Sequence, residues 1–160
     1  MTGGQEPLPR AEFAFPGPLR DRLVAAILDG SKTATTSLLH EYEHFGEPLP
    51  RAGSRSELID SADEPVAVIE TVEVRVVPLA DVDLAHARDE GEGHETVAAW
   101  RAGHERFWHS EEMRAALGDG DGEEDRAGDR DAAGGAAFTV DDATPVVLER
   151  FRLVDDLRPR

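Results

Sequence analysis

VAVIETVEVRVVP, residues Val66 to Pro78, decides the fold. Val66 and Val68, then Val72, Val74 and Val76, alternate with mostly polar neighbours, the period of a strand with one face packed and the other wet. Working outward, SADEP (61–65) reads as a turn and Ser54 to Asp60 as a second strand, so the two make an antiparallel pair. Towards the C-terminus, TPVVLERFRLV (144–154) is β-branched and alternating and reads as the final strand.

The remaining stretches read as helices. PLRDRLVAAILDG places Leu19, Leu23, Ala26 and Ile27 at helical spacing, with Pro18 in the first turn and Gly30 as a stop, which predicts a helix over Pro18–Asp29. SLLHEYEHFG reads as a short helix capped by Ser37 and ended by Gly46. LADVDLAHARDE and HETVAAWRAGHERFW are two further helices separated by Gly91-Glu92-Gly93, and SEEMRAAL extends the second or begins another. Strands and helices interleave without a regular βαβ rhythm, so an α+β fold with a small, closed, antiparallel β core is expected.

The chain has 160 residues, the size of one ordinary domain. We read a single domain over 1–160, with an ordered core at about 13–117 and 136–157. Between them, Gly118 to Gly135 carries seven acids against two arginines and no large apolar residue, and is expected to be a mobile acidic insertion. Removing that net −5 from the formal charge of −17 still leaves −12. Such a charge repels a phosphate backbone, so non-specific DNA binding is disfavoured and a small ligand fits better. No apolar run is long enough to span a bilayer, which excludes a membrane protein. With no cysteine and no apolar leader at the N-terminus, the cytoplasm is the expected compartment.

Two motifs advertise chemistry in Gly30–Gly46. GSKT resembles the tail of a phosphate-binding loop, but Ala26 stands where its first glycine belongs, and a helix precedes it where a strand should. The nucleotide-hydrolase reading fails. His40, Glu41 and His44 match H-E-x-x-H literally, and on a helix both histidines lie one turn apart with Glu41 as a base for bound water. No third ligand follows at a diagnostic spacing, so zinc hydrolysis is a remote alternative to a solvated helix face.

KTATTS, with Lys32 followed by hydroxyls at Thr33, Thr35, Thr36 and Ser37, can be a plain turn after the first helix. Taken with three other segments it resembles the ASCH domains, which share the barrel of the PUA-like RNA-binding domains. The resemblance rests on G-x-K-T-x-T (Gly30, Lys32, Thr33, Thr35), E-x-L-P-x-x-G (Glu47 to Gly53), A-x-x-E-G-E-G (Ala87 to Gly93) and W-x-x-x-H-x-x-F (Trp100, His104, Phe107). It runs from about Phe15 to Trp108, and the last strand through Phe151 fits it.

This resemblance implies a PUA-like antiparallel barrel surrounded by helices, and a cleft for a nucleoside or RNA-derived ligand. Members include small amidohydrolases that remove the acetyl group from N4-acetylcytidine, and related domains act as RNA-binding modules or ribonucleases. Carried over by motif, Lys32 is the general base or proton shuttle, Thr35 the nucleophile and Glu90 the orienting carboxylate. Thr33, Thr36, Ser37, Glu92, Trp100 and His104 line the ligand. No cofactor and no metal ion is called for. As a base, Lys32 needs burial to depress a pKa ordinarily near ~10.4, whereas an ion pair with Glu90 raises it. The chain departs from the small amidohydrolases at Ser37, where they carry arginine, and at His94, where an acid is expected. Trp100 and Phe107 also suit the core, since both fall on the apolar face of their helix.

Overall fold

The computed structural model describes residues 7–117 and 139–159. The expected mobile insertion at 118–135 lies outside the described residues. Among the described residues, five strands form one sheet in the order β1-β3-β4-β5-β2. These are β1 (Arg10–Ala11), β2 (Ala34–Leu38), β3 (Arg55–Ile59), β4 (Pro65–Pro78) and β5 (Pro145–Asp156). The valine-rich stretch is β4, 14 residues long and central, antiparallel to both β3 and β5. Its register against β5 shifts between Thr71 and Glu73. Such a bulge bends a long strand and re-aims its side chains.

The sheet differs from expectation in two ways. β1 pairs parallel to β3, so the sheet is mixed. Its ladders also leave β1 and β2 as two edges, and no pairing among the described residues closes the sheet into a ring.

Five α-helices among the described residues accompany the sheet: α1 (Pro18–Asp29), α2 (Leu39–Phe45), α3 (Leu84–Asp89), α4 (Val97–Trp108) and α5 (Glu111–Ala116). The expected bounds of α1 are met, with Gly30 closing the helix in the left-handed conformation at φ 89°. KTATTS is not a turn. Its second half pairs with β5 as β2, from Ala34 opposite Arg150 to Leu38 opposite Val146. α2 therefore starts one residue beyond Leu38 and is not capped by Ser37. Glu41 reaches back to accept the Leu38 N–H at 3.1 Å, satisfying one donor at the helix start.

Two apolar clusters hold the elements together. Val24 and Ile27 of α1 pack on Leu58, Ala67, Ile69 and Phe151 of the sheet. Trp100, Trp108, Met113 and Ala87 of α3–α5 pack with Leu38, Val146 and Leu148. The turn from α1 into β2 and the loop from α3 into α4 thus meet beside the second cluster, where the polar site is built. No helix among the described residues is long and apolar enough to cross a membrane.

Candidate active site

Lys32 is 2% exposed, Glu90 is fully buried, and the two meet although they lie 58 positions apart. The Lys32 Nζ donates to the Ala34 carbonyl at 2.9 Å, the Glu90 carbonyl at 3.3 Å and Glu92 Oε2 at 3.1 Å. Those three acceptors match the three donors of an ammonium group. Glu90 Oε1 stands 4.0 Å away as a second anion, and the Phe13 ring lies 5.9 Å from Nζ.

Backbone geometry brings the two segments of this site together. Gly91 has φ +72°, and a Cβ built on it falls 2.3 Å from the Ser31 carbonyl oxygen and 2.8 Å from Lys32 Cα. The E-G-E-G loop therefore lies directly on the Ser31–Lys32 backbone, which glycine permits both by its conformation and by its lack of a side chain. The Thr33 N–H donates to the Asp89 carbonyl at 2.8 Å and the Arg150 guanidinium pairs with Asp89 at 2.6 Å, tying the end of α3 to β2 and β5.

Around the Glu90 carboxylate, Thr36 Oγ1 lies 2.5 Å from Oε2 and His104 Nε2 lies 3.0 Å from Oε1. His86, one helical turn before Glu90 on α3, places Nε2 at 2.8 Å from Thr36 Oγ1 and 3.2 Å from Glu90 Oε2. With Glu90 ionised, the Thr36 hydroxyl donates to it and accepts from His86 Nε2–H. The ring of His104 stacks on Trp100 with centroids 4.3 Å apart, and its Nδ1 meets the Trp100 carbonyl at 3.0 Å. Burial alone would raise the Glu90 pKa. The hydrogen bonds from His104 and His86 and the nearby positive charges outweigh it and hold the carboxyl well below its ordinary value. For His104 burial works against the charged form, and the Glu90 carboxylate overrides it, so the pKa rises.

The network opens to solvent at one side, where the side chains of Glu92 and His104 are 24% and 13% exposed and His94 lies 6.3 Å from His104, ring to ring. Lys32, Thr36, Glu90, Glu92, Trp100 and His104 are thus brought together. Thr35 and Ser37 are not. Successive strand residues point to opposite faces, and β2 buries Ala34, Thr36 and Leu38 while Thr35 and Ser37 turn to the other side. Thr33 is engaged with the end of α3. His86 was missed by sequence reasoning; its signal is the i, i+4 spacing to Glu90 on one helix face.

Glu90, Glu92 and His104 offer ligand atoms within 4.8 Å of one another, the one such group of three among the described residues. The Lys32 Nζ already sits between the two carboxylates, and His104 turns both ring nitrogens to acceptors, Nε2 to Glu90 Oε1 and Nδ1 to the Trp100 carbonyl. With the Lys32 amine occupying the space between the carboxylates and no free lone pair on His104 turned towards them, the residues do not fit a divalent cation. The H-E-x-x-H stretch lies on α2, but Glu41 is spent on the Leu38 N–H.

The sequence profile of the ASCH domain family matches residues 12–155. A crystal structure of a DUF984-family protein from Enterococcus faecalis V583 is similar, at 27% identity and TM-score 0.63 over 86% of this chain and 69% of that one. An ASCH domain from Lactobacillus crispatus JV V101 shares the fold at 22% identity and TM-score 0.69, over 93% of this chain and 80% of that one. No curated protein gives a match. Since the family profile spans nearly the whole chain, from the residue before Phe13 to Asp155 in β5, this protein belongs to the ASCH domain family.

Proposed function

We propose that the domain binds a nucleoside-type ligand at the mouth formed by Glu92, His94 and His104, and hydrolyses an amide or ester on it, as an N4-acetylcytidine amidohydrolase-like enzyme. The observation that carries this reading is the placement of the buried Glu90 carboxylate between a hydroxyl and an imidazole, at 2.5 and 3.0 Å. That is the arrangement acyl transfer needs: a nucleophile, a proton acceptor and a proton donor in one line of contacts.

The nucleophilic role falls to Thr36, since Thr35 faces the other side of β2. Thr36 Oγ1 adds to the acyl carbon as its proton passes to Glu90 Oε2. His104 protonates the departing nitrogen as the C–N bond breaks, and the proton held by Glu90 restores His104. Water then adds to the acyl ester, releases the acid and returns the proton to Thr36. Lys32 contributes by fixing the Glu90 and Glu92 loop. The acidic chain favours a small substrate over a polyanion.

Incubation of the purified protein with N4-acetylcytidine, followed by mass spectrometry, tests the reading. Cytidine should appear, should be lost in Lys32→Ala and Thr36→Val, and should persist in Thr35→Val. Absence of product together with strongly salt-dependent RNA binding would identify the chain as an RNA-binding module instead.

A further inference from the structure

The opposite face of β2 carries a second group of polar side chains. Register places Thr35 directly across from Glu149 of β5, and Val74 of β4 lies across from Glu149 on its other side. At the β4 bulge, Thr71 Oγ1 donates to Glu149 Oε2 at 2.6 Å. Ser37 lies two residues along the same face as Thr35, and Tyr42 of α2 is near enough to Ser37 and to Glu149 for both to act on its hydroxyl. Glu149 and Tyr42 are half-buried. Val74 and Val147 supply apolar surface between the strands.

No lysine or arginine among the described residues pairs with Glu149. Arg150, its neighbour in sequence, points the other way in β5 and is engaged with Glu73 and Asp89. Burial pushes the Glu149 carboxyl above its ordinary pKa, with the Thr71 hydrogen bond as partial relief. Burial first, and then the charge of Glu149, push Tyr42 up to about 12. A half-buried anion without a counter-charge is costly, and a bound cation would relieve it. Glu41 and Glu47 stand near Tyr42 and add negative potential, which excludes phosphate and carboxylate ligands. One carboxylate ringed by neutral hydroxyls is too few anionic ligands for a divalent metal.

We propose that Glu149, Thr35, Ser37 and Tyr42 form a second site, on the face of β2 away from Lys32, that binds a small organic cation of the amine or amidine class. The ammonium or amidinium group pairs with Glu149, its remaining N–H groups reach the Thr35 and Ser37 hydroxyls, and the apolar body lies against Val74 and Tyr42. The site is independent of the chemistry at Glu90.

Benzamidine is the probe, titrated into the 15N-labelled full chain while amide resonances are followed, with benzoate as the anionic control. Saturable shifts are expected at Thr35, Ser37, Tyr42, Thr71 and Glu149, with none from benzoate. Glu149→Gln should weaken binding by about tenfold or more, the loss of one charge-assisted hydrogen bond, and Thr35→Val by a smaller factor. Both substitutions preserve shape, and the spectrum itself reports whether the variant is folded. Absence of saturable shifts, shifts centred on Glu92, His94 and His104, equal binding of benzoate, or unchanged affinity in Glu149→Gln would each overturn the proposal. Activity towards N4-acetylcytidine in Glu149→Gln reports separately on the Glu90 site.

Discussion

Thr36 Oγ1 lies 2.5 Å from Glu90 Oε2, a contact between a strand and the end of a helix 54 positions later, with both side chains out of solvent. Glu90 is the shared anion of Thr36, His86, His104 and Lys32, and each of those groups is buried on the assumption of its charge. Glu90→Gln keeps the shape but leaves the Lys32 ammonium and the His104 imidazolium short of a counter-ion. Removing one partner of a buried ion pair costs about 3–5 kcal/mol. Urea unfolding monitored by the two tryptophans should show a loss of that order, and an unchanged midpoint would mean that the network is not formed in solution.

Gly91 and Gly93 separate conformational strain from steric contact. Both have positive φ, +72° and +88°, but a Cβ at Gly93 meets nothing within 4 Å, whereas one at Gly91 meets the Ser31 carbonyl at 2.3 Å. Gly93→Ala should therefore cost about 1–2 kcal/mol, the left-handed penalty alone. Gly91→Ala should cost clearly more, because the E-G-E-G loop has to lift off Lys32. Thermal unfolding of the two variants side by side checks the order.

How much of this was legible in the sequence follows from which interactions are local. The β4 valines carry their own period, and α1 its own stop at Gly30, so both were readable. β2 was not. Its hydroxyl run suits a turn or a helix cap as well as a strand, and it becomes a strand because β5, some 110 residues away, offers an edge. Which hydroxyl meets Glu90 depends on that fact. Once Ala34–Leu38 is a strand, parity sends Thr36 towards Glu90 and Thr35 towards Glu149, and a one-residue difference in a motif selects between two faces of the sheet. Lys32 and Glu90 were paired through the family motifs, while His86 and Glu149, which lie outside those motifs, emerge only from the packing.

The two titrating groups of the network give the pH dependence a definite sign. The folded pKa of Glu90 lies well below 4.5, so its contribution is present above that pH and is lost as pH falls through the folded value. The folded pKa of His104 lies above 6.5, so its contribution is present below that pH and is lost as pH rises through the folded value. Glu41 and Glu149, both raised by burial, add to the decline as pH rises above 4.5. Stability should peak on the acid side of neutrality, between about pH 4.5 and 6.5. Denaturant midpoints measured from pH 4 to 9 in wild type and His104→Gln check this: the variant should lose the part of the alkaline decline centred above pH 6.5.

Thr35 and Thr36 offer the sharpest separation of the two faces, because Thr→Val changes only the hydroxyl. In Thr36→Val, Glu90 Oε2 and His86 Nε2 both lose their short contacts to the hydroxyl and keep only each other at 3.2 Å, at a cost of about 1–3 kcal/mol. Thr35 lies on a half-buried face where its hydroxyl holds no such network, so Thr35→Val should stay within about 0.5 kcal/mol of wild type. Amide exchange sharpens the comparison. In Thr36→Val, protection should fall at the β2–β5 ladder and at the end of α3 together, since Thr36 links them through Glu90, whereas Thr35→Val should leave both unchanged. Equal effects from the two substitutions would mean that β2 is in the opposite register and that the hydroxyl facing Glu90 belongs to Thr35.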